Sequence, residues 1–341
     1  MAKYKIALIR GDGIGPEVIA IALEVLRAVD FDVEYVEIAA GLDHFRKTGR
    51  PLEEGAIDTI RSCDALLKGP LTTPVGWGYS SVNVALRREL GLFANIRPFR
   101  SLKGISLHEG LDVILIRENT EGLYSGSEIR GDDSAVALRV VTRNACERLC
   151  RFAFEYAVER GRRKVTAVHK ANILRESDGL FRRVFFEVAK GYAGIEADEL
   201  LVDAAAYKVV VDPSSLDVMV TPNLYGDILS DELAGIVGSI GLCGSAQIGV
   251  DFAAFEPVHG TAPDIAGKGV ANPIGAVISA SLMLEWLACK SGDESLAEAS
   301  RKILKAVERV LELERVLTPD LGGTAKTEDV ERALLEALED D

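Results

Sequence analysis

Short apolar runs alternate along the chain with stretches whose apolar residues recur at helical spacing. KIALI (residues 5–9) reads as a first strand. Residues 16–29 predict a helix, with Val18, Ile19, Ala22, Leu23, Val25 and Leu26 recurring at helical spacing. Further strands are expected at 33–38, 65–68, 112–116, 164–168, 200–203 and 218–221, the last two each leading into a helix. From Ile274 onward the pattern is mostly helical, broken by a loop over 319–324 and closed by the acidic run LEALEDD, whose charges read as a solvated helix face. This alternation predicts an α/β fold with a largely parallel sheet. There is no internal repeat and no low-complexity linker. At roughly 150 residues per domain, a chain of 341 residues predicts about two domains. Without a linker, the chain is expected to cross between them more than once.

Composition narrows the function. Apolar residues make up 48% of the chain, enough for a sizeable core, and the formal net charge is −14. That balance disfavours general nucleic-acid binding and docking on anionic membranes, which need basic faces. An anionic substrate stays open, because a local arginine cluster acts equally well inside an acidic protein. Cys63, Cys146, Cys150, Cys243 and Cys289 form no CxxC pair, which fits a reducing cytoplasm. The N-terminal apolar run ends at Arg10 and a glycine turn, and reads as a strand rather than a signal peptide. The uncharged stretch Leu233 to Val250 carries five glycines with Ser239, Ser245 and Gln247, and reads as helix end and loop rather than a membrane span.

Several segments carry candidate chemistry. GDGIGP (residues 11–16) sits at a strand-to-helix turn, but its glycine spacing departs from the dinucleotide fingerprint, so a tight turn with Pro16 opening the helix is an equal reading. In DILSD, Asp227 and Asp231 are four apart and share a helix face. With Asp203 at the end of another strand, three carboxylates offer oxygen ligands of the kind that suit Mg²⁺ or Mn²⁺; a solvated acidic helix start is the alternative. Arg87, Arg97 and Arg117 are candidate carboxylate clamps, Arg117 standing at the C-terminal end of the strand DVILI where ligands of α/β sheets gather; ordinary surface arginines are the other reading. Tyr124, in RENTEGLYSG, and Lys170, in HKAN, each follow a strand and are plausible proton-transfer groups. HGTAPDIAG (residues 259–267) is a second Gly-rich loop suited to a nucleotide.

Taken together, RENTEGLYSG, HKANI, PNLYGDILSDELAG and EPVHGTAPDIAGKGVANP resemble the β-decarboxylating dehydrogenases: the isocitrate, isopropylmalate and homoisocitrate dehydrogenases. The resemblance covers almost the whole chain. It implies a two-domain fold that is not a Rossmann fold: a large domain from residues 1–94 and 240–341, and a smaller one from 95–239 with a dimer clasp and the metal-ligand helix. It implies an active site in the interdomain cleft of a homodimer or higher homo-oligomer, with Lys170 and Asp203 reaching in from the partner subunit. Arg87, Arg97 and Arg117 become substrate clamps, Tyr124 and Lys170 the acid–base pair, and Asp203, Asp227 and Asp231 the Mg²⁺ or Mn²⁺ ligands. Ser81 and Asn83, two apart before Arg87, resemble isocitrate dehydrogenases, where such groups meet the γ-carboxylate. Homoisocitrate, one methylene longer, and isopropylmalate are the alternatives, with a non-catalytic regulatory subunit a more distant one. Thr73, His259, Gly260, Thr261 and Asn272 are implied to line the cofactor site. Asp264 and Ile265, where NADP-dependent relatives carry Lys and Tyr, resemble NAD-dependent members. The expected reaction is NAD-dependent oxidative decarboxylation of isocitrate.

Overall fold

A computed structural model describes residues 3–313 and 315–340. The chain forms two compact units. The first holds the segment up to Leu90, Leu102–Ser106, and everything from Gly238 onward; the second holds Gly91–Ser101 and Leu107–Val237.

In chain order, the first unit contributes β1 (Tyr4–Ile9), α1 (Gly15–Ala28), β2 (Val33–Glu37), α2 (Leu42–Thr48), α3 (Ala56–Arg61), β3 (Ala65–Lys68) and α4 (Val82–Glu89). The second unit follows with β4 (Ala94–Arg100), β5 (Asp112–Glu118), β6 (Glu128–Arg130), β7 (Ala135–Ala137), α5 (Arg143–Glu159), β8 (Lys164–His169), α6 (Ser177–Ala189), β9 (Glu196–Leu201), α7 (Val202–Val211), β10 (Val218–Thr221) and α8 (Asn223–Val237). The chain then returns to the first unit for β11 (Gly244–Ile248), β12 (Ala253–Pro257), α9 (Ile274–Ser291), α10 (Glu294–Glu308) and α11 (Thr327–Glu339).

Strands of the first unit run in the order β2-β1-β3-β12-β11, parallel except for the antiparallel β11–β12 pair. All four residues of β3 are buried, as expected of a parallel strand covered on both faces. Helix α1 starts as its sequence dictates, with Pro16 in its first turn, and buries Val18, Ile19, Ala22, Val25 and Leu26. Helix α9 is long and apolar enough to cross a membrane by length and composition alone. It instead packs on β11, β12, α1 and α10, the position of a core helix. The second unit orders its strands β4-β5-β10-β8-β9, with β4 antiparallel to β5 and the rest parallel. Its separate β6–β7 hairpin is exposed along both strands.

Two expectations need correction. The strand expected over 200–203 ends at Leu201, and Asp203 lies in the first turn of α7. Ala204, Ala205 and Ala206 follow it, and an alanine run favours helix. The stretch 233–250, read as helix end and loop, also contains the buried strand β11. Its polar residues are accommodated by β12: the Ser245 hydroxyl donates to the Glu256 carbonyl at 2.7 Å, and Gln247 Nε2 donates to Glu256 Oε1 at 2.5 Å.

Candidate functional site

In the second unit, β5, β10, β8 and β9 run parallel, so the segments that follow them emerge at one edge. Those segments carry Tyr124, helix α8, Lys170 and Asp203. On the antiparallel β4–β5 pair, Asn95 lies opposite Arg117. Asn95 and Arg97 therefore project to the same face as Arg117. Both arginines are almost fully buried. Arg117 donates from Nε and Nη2 to Asn223 Oδ1 at 3.0 and 2.7 Å, and from Nη1 to Asp227. Arg97 donates to the Ser230 hydroxyl and places Nη2 3.8 Å from the same Asp227. The Tyr124 hydroxyl donates to the other oxygen of Asp227, and its ring lies under the Arg117 guanidinium at 4.9 Å.

Close approach of α8 explains this convergence. A Cβ on Gly226 would stand 2.2 Å from Thr221 Oγ1 and 2.8 Å from Arg117 Cβ. Only glycine lets the helix settle against β5 with Asp227 beside Arg117. Asn223, which the sequence reading missed, ties the assembly together: its Nδ2 donates to Glu118 Oε2 at 3.3 Å and to the Glu121 carbonyl at 3.1 Å, bracing the loop that carries Tyr124. Its signal was the strand-to-helix step PN ahead of DILSD.

Asp231, one turn beyond Asp227, has its carboxyl raised above the usual range by burial, and Asp227 adds to this against the opposing pull of Arg97 and Arg117. Lys170 and Asp203 pair with each other at 2.5 Å. That hydrogen bond, with Asp203's own backbone N–H, holds the Asp203 carboxyl below the usual range. Among the described residues of a single chain, no group of three His, Cys, Asp or Glu side chains is arranged to hold a metal ion. The three aspartates thus do not converge within one copy of the chain.

In the first unit, β1, β3 and β12 are parallel neighbours, which gathers the loops after them at one edge. The GDGIGP turn packs on the HGTAP loop: Ile14 N–H donates to the Thr261 carbonyl at 2.9 Å, and a Cβ on Gly13 would lie 1.9 Å from that same oxygen. Gly13 also has φ +59, so glycine is required twice over. The turn's glycines therefore answer to backbone packing. Asp12, also missed by the sequence reading, accepts from the N–H groups of Leu42 at 2.9 Å and Thr72 at 2.8 Å, setting the loop that carries Thr73. Thr73 itself is exposed.

His259 is buried, its Nδ1 lies 2.9 Å from the Gly260 carbonyl, and its Nε2 has no hydrogen-bond partner. Burial lowers its pKa, so the ring stays neutral near pH 7. Gly260 and Asp264 are exposed, Thr261 and Ile265 half-buried. Asn272 is buried, with Nδ2 donating to Asp320 at 3.1 Å while Oδ1 accepts from Ile274 N–H at the start of α9. On α4, Ser81 is the N-cap, its hydroxyl accepting from Val84 N–H at 3.4 Å. Asn83 lies one turn before Arg87, and its Oδ1 is buried without a hydrogen-bond partner. Arg87 is held by Gln247 at 2.8 Å and lies 3.7 Å from Glu256, which also pairs with the fully buried Lys68.

Comparison with known proteins adds an independent line. The family model for isocitrate/isopropylmalate dehydrogenases matches residues 5–334. The chain is 44% identical to the 3-isopropylmalate dehydrogenase of Methanothermobacter thermautotrophicus over the full length of both. It is 45% identical to the isocitrate/homoisocitrate dehydrogenase of Thermus thermophilus, covering 98% of each chain. The crystal structure of isocitrate dehydrogenase from Methylococcus capsulatus superimposes with a TM-score of 0.93 at 45% identity, covering 98% of this chain and 99% of that one.

Proposed function

The chain belongs to the isocitrate/isopropylmalate dehydrogenase family, a family of β-decarboxylating dehydrogenases, and from that premise we propose that it oxidises and decarboxylates isocitrate to 2-oxoglutarate and CO₂, with NAD⁺ as hydride acceptor and Mg²⁺ or Mn²⁺. Relatives named for isopropylmalate and for isocitrate or homoisocitrate stand at 44% and 45% identity, so similarity alone does not separate the substrates. The observation that carries isocitrate is on α4. Asn83, one turn from Arg87, has a buried oxygen without a hydrogen-bond partner. A polar amide at that place suits a third carboxylate or an ordered water beside it. An isopropyl group there leaves the amide unsatisfied, at a cost of about 1–3 kcal/mol.

Homoisocitrate is the second reading. The loop 74–79 leaves Val75 and Trp77 exposed, so packing does not set the pocket's length there. Initial rates with Mn²⁺ and NAD⁺ on D-isocitrate, homoisocitrate and D-3-isopropylmalate in parallel test the choice. A preference for isocitrate is expected. Better turnover of isopropylmalate would overturn the α4 argument.

Within this reading the residues have separate tasks. Arg87, Arg97 and Arg117 hold substrate carboxylates, for which planar guanidinium groups are suited. Lys170 accepts the proton of the 2-hydroxyl as hydride leaves C2 for NAD⁺. Loss of CO₂ from the β-keto acid leaves an enolate, and Tyr124 donates the proton its carbon takes up. The all-oxygen donor set of Asp203, Asp227 and Asp231 fits Mg²⁺ or Mn²⁺, which when bound supplies stabilisation of developing negative charge. In this reading Asp203, paired with Lys170, serves a site completed by a second copy, and the proposed functional unit is a homodimer or higher homo-oligomer. Ile129, Val136 and Leu138 on and beside the β6–β7 hairpin, and Tyr207, Val210 and Val211 on α7, are exposed apolar residues that such an assembly covers. Five free cysteines fit a cytoplasmic setting.

The adenosine end of NAD⁺ is assigned to Thr261, Asp264, Ile265 and Asn272, with His259 and Gly260 beside them and Thr73 near the nicotinamide. An exposed Asp264 carboxylate accepts ribose hydroxyls and repels a 2′-phosphate. Asp264→Lys with Ile265→Tyr is therefore expected to raise the NADP⁺/NAD⁺ ratio of kcat/KM by about 10–100-fold, the worth of one or two charge-assisted hydrogen bonds. An unchanged ratio would remove Asp264 from the cofactor argument.

A further inference from the structure

Lys170 reaches Asp203 from a short segment between β8 and α6, and the first two backbone N–H groups of that segment are held by side chains. Ala171 N–H donates to His169 Nδ1 at 3.1 Å, so the ring carries its hydrogen on Nε2 and donates it to Glu199 at 2.9 Å. Lys170 N–H donates to Asp178 Oδ2 at 2.6 Å. Asp178, in the first turn of α6, is completely buried, and its other oxygen pairs with the Arg139 guanidinium.

A single backbone N–H asks only for a neutral acceptor. A buried carboxylate is costly unless its second oxygen also has a partner. Here that partner leads to the segments of the same chain that carry Tyr124 and Asp227. Arg139 lies over the Tyr225 ring at 5.0 Å and donates to the Tyr225 hydroxyl at 3.4 Å, two residues before Asp227 on α8. The next residue, Val140, accepts at its carbonyl from Gly122 N–H at 2.9 Å, two residues before Tyr124.

We infer that Asp178 is a positioning residue for proton transfer: it fixes the backbone from which Lys170 extends and, through Arg139, ties that backbone to the segments carrying Tyr124 and Asp227. The inference rests on the reading of Lys170 as the proton acceptor. Asp178 touches no reacting atom. It keeps the Lys170 backbone in one place while the side chain works.

Two uncharged double variants isolate the acceptor. Asp178→Asn with Arg139→Gln keeps an oxygen for Lys170 N–H. Asp178→Leu with Arg139→Gln has nearly the same shape and loses that oxygen. The expected result is a kcat about 10–100-fold lower in the Leu variant than in the Asn variant, the scale of a sub-ångström to 1 Å misplacement. KM for isocitrate, set by the arginines, is expected to agree within about twofold. Rates are normalised to the folded fraction from near-ultraviolet circular dichroism. If the Leu variant does not fold, Asp178→Ser with Arg139→Gln, whose hydroxyl is too short to reach, takes its place. Equal kcat in the two variants overturns the inference and leaves the reading of Lys170 standing. Full turnover by Lys170→Met overturns both.

Discussion

Lys170→Met is expected to lower kcat for isocitrate oxidation by about 10²–10⁴-fold, with KM changed only a few-fold, the range for loss of a positioned general base. The side chain is partly exposed and paired with Asp203 at 2.5 Å, so methionine fills nearly the same space without opening a core cavity. What it removes is the group to which the proposed mechanism gives the hydroxyl proton. Supplying the β-keto acid directly bypasses that step, so the variant is expected to retain most of its decarboxylation while losing NAD⁺ reduction. Tyr124→Phe is the counterpart. It removes the hydroxyl that donates to Asp227 and should slow the supplied β-keto acid as well. Wild-type kcat in Lys170→Met would show that the proton leaves by another route, and equal loss of both partial reactions would show that the role of Lys170 is not confined to the oxidation step.

Lys68→Met is expected to destabilise the protein by about 3–5 kcal/mol, the cost of leaving one member of a buried ion pair uncompensated. Lys68 is 1% exposed, and burial pushes its pKa down against the pull of Glu256. Glu256 would be left to Gln247 and to Arg87 at 3.7 Å, neither of which replaces a contacting ammonium. Set against a typical total stability of about 5–15 kcal/mol, this is a loss that chemical denaturation reads easily. Adding Glu256→Gln to Lys68→Met should restore part of the loss, because the stranded charge goes with it. A shift below about 1 kcal/mol in Lys68→Met would mean that Arg87 and Gln247 already neutralise Glu256. Since Glu256 and Gln247 also hold Arg87, the variants report on how that arginine is braced.

Much of this molecule was legible as pattern. KIALI and DVILI are strands because apolar runs of that length, bounded by turns, are buried on both faces of a parallel sheet. Asp227 and Asp231 share a helix face because four residues make about one turn, a local fact that no neighbour alters. The loops holding Tyr124, Lys170 and His259 announced themselves through residue types that a packed core does not need. The strand Gly244–Ile248 was hidden because GSAQI has no apolar signature of its own, and its polar side chains are satisfied only by β12. Asp203 was misplaced by two residues because an alanine run competed with a strand, and the helix won.

Tertiary structure alone decided the partners. Arg117 and Asp227 are 110 residues apart, Lys68 and Glu256 188 apart, and only strand order joins them. Asp178 looks like any acidic residue at a helix start until folding buries it against Lys170 and Arg139. Local sequence determines which residues are able to do chemistry, through periodicity and turn geometry acting over a few positions. Which carboxylate meets which cation is set by close packing over long range, where a charge that finds no partner is too costly to bury.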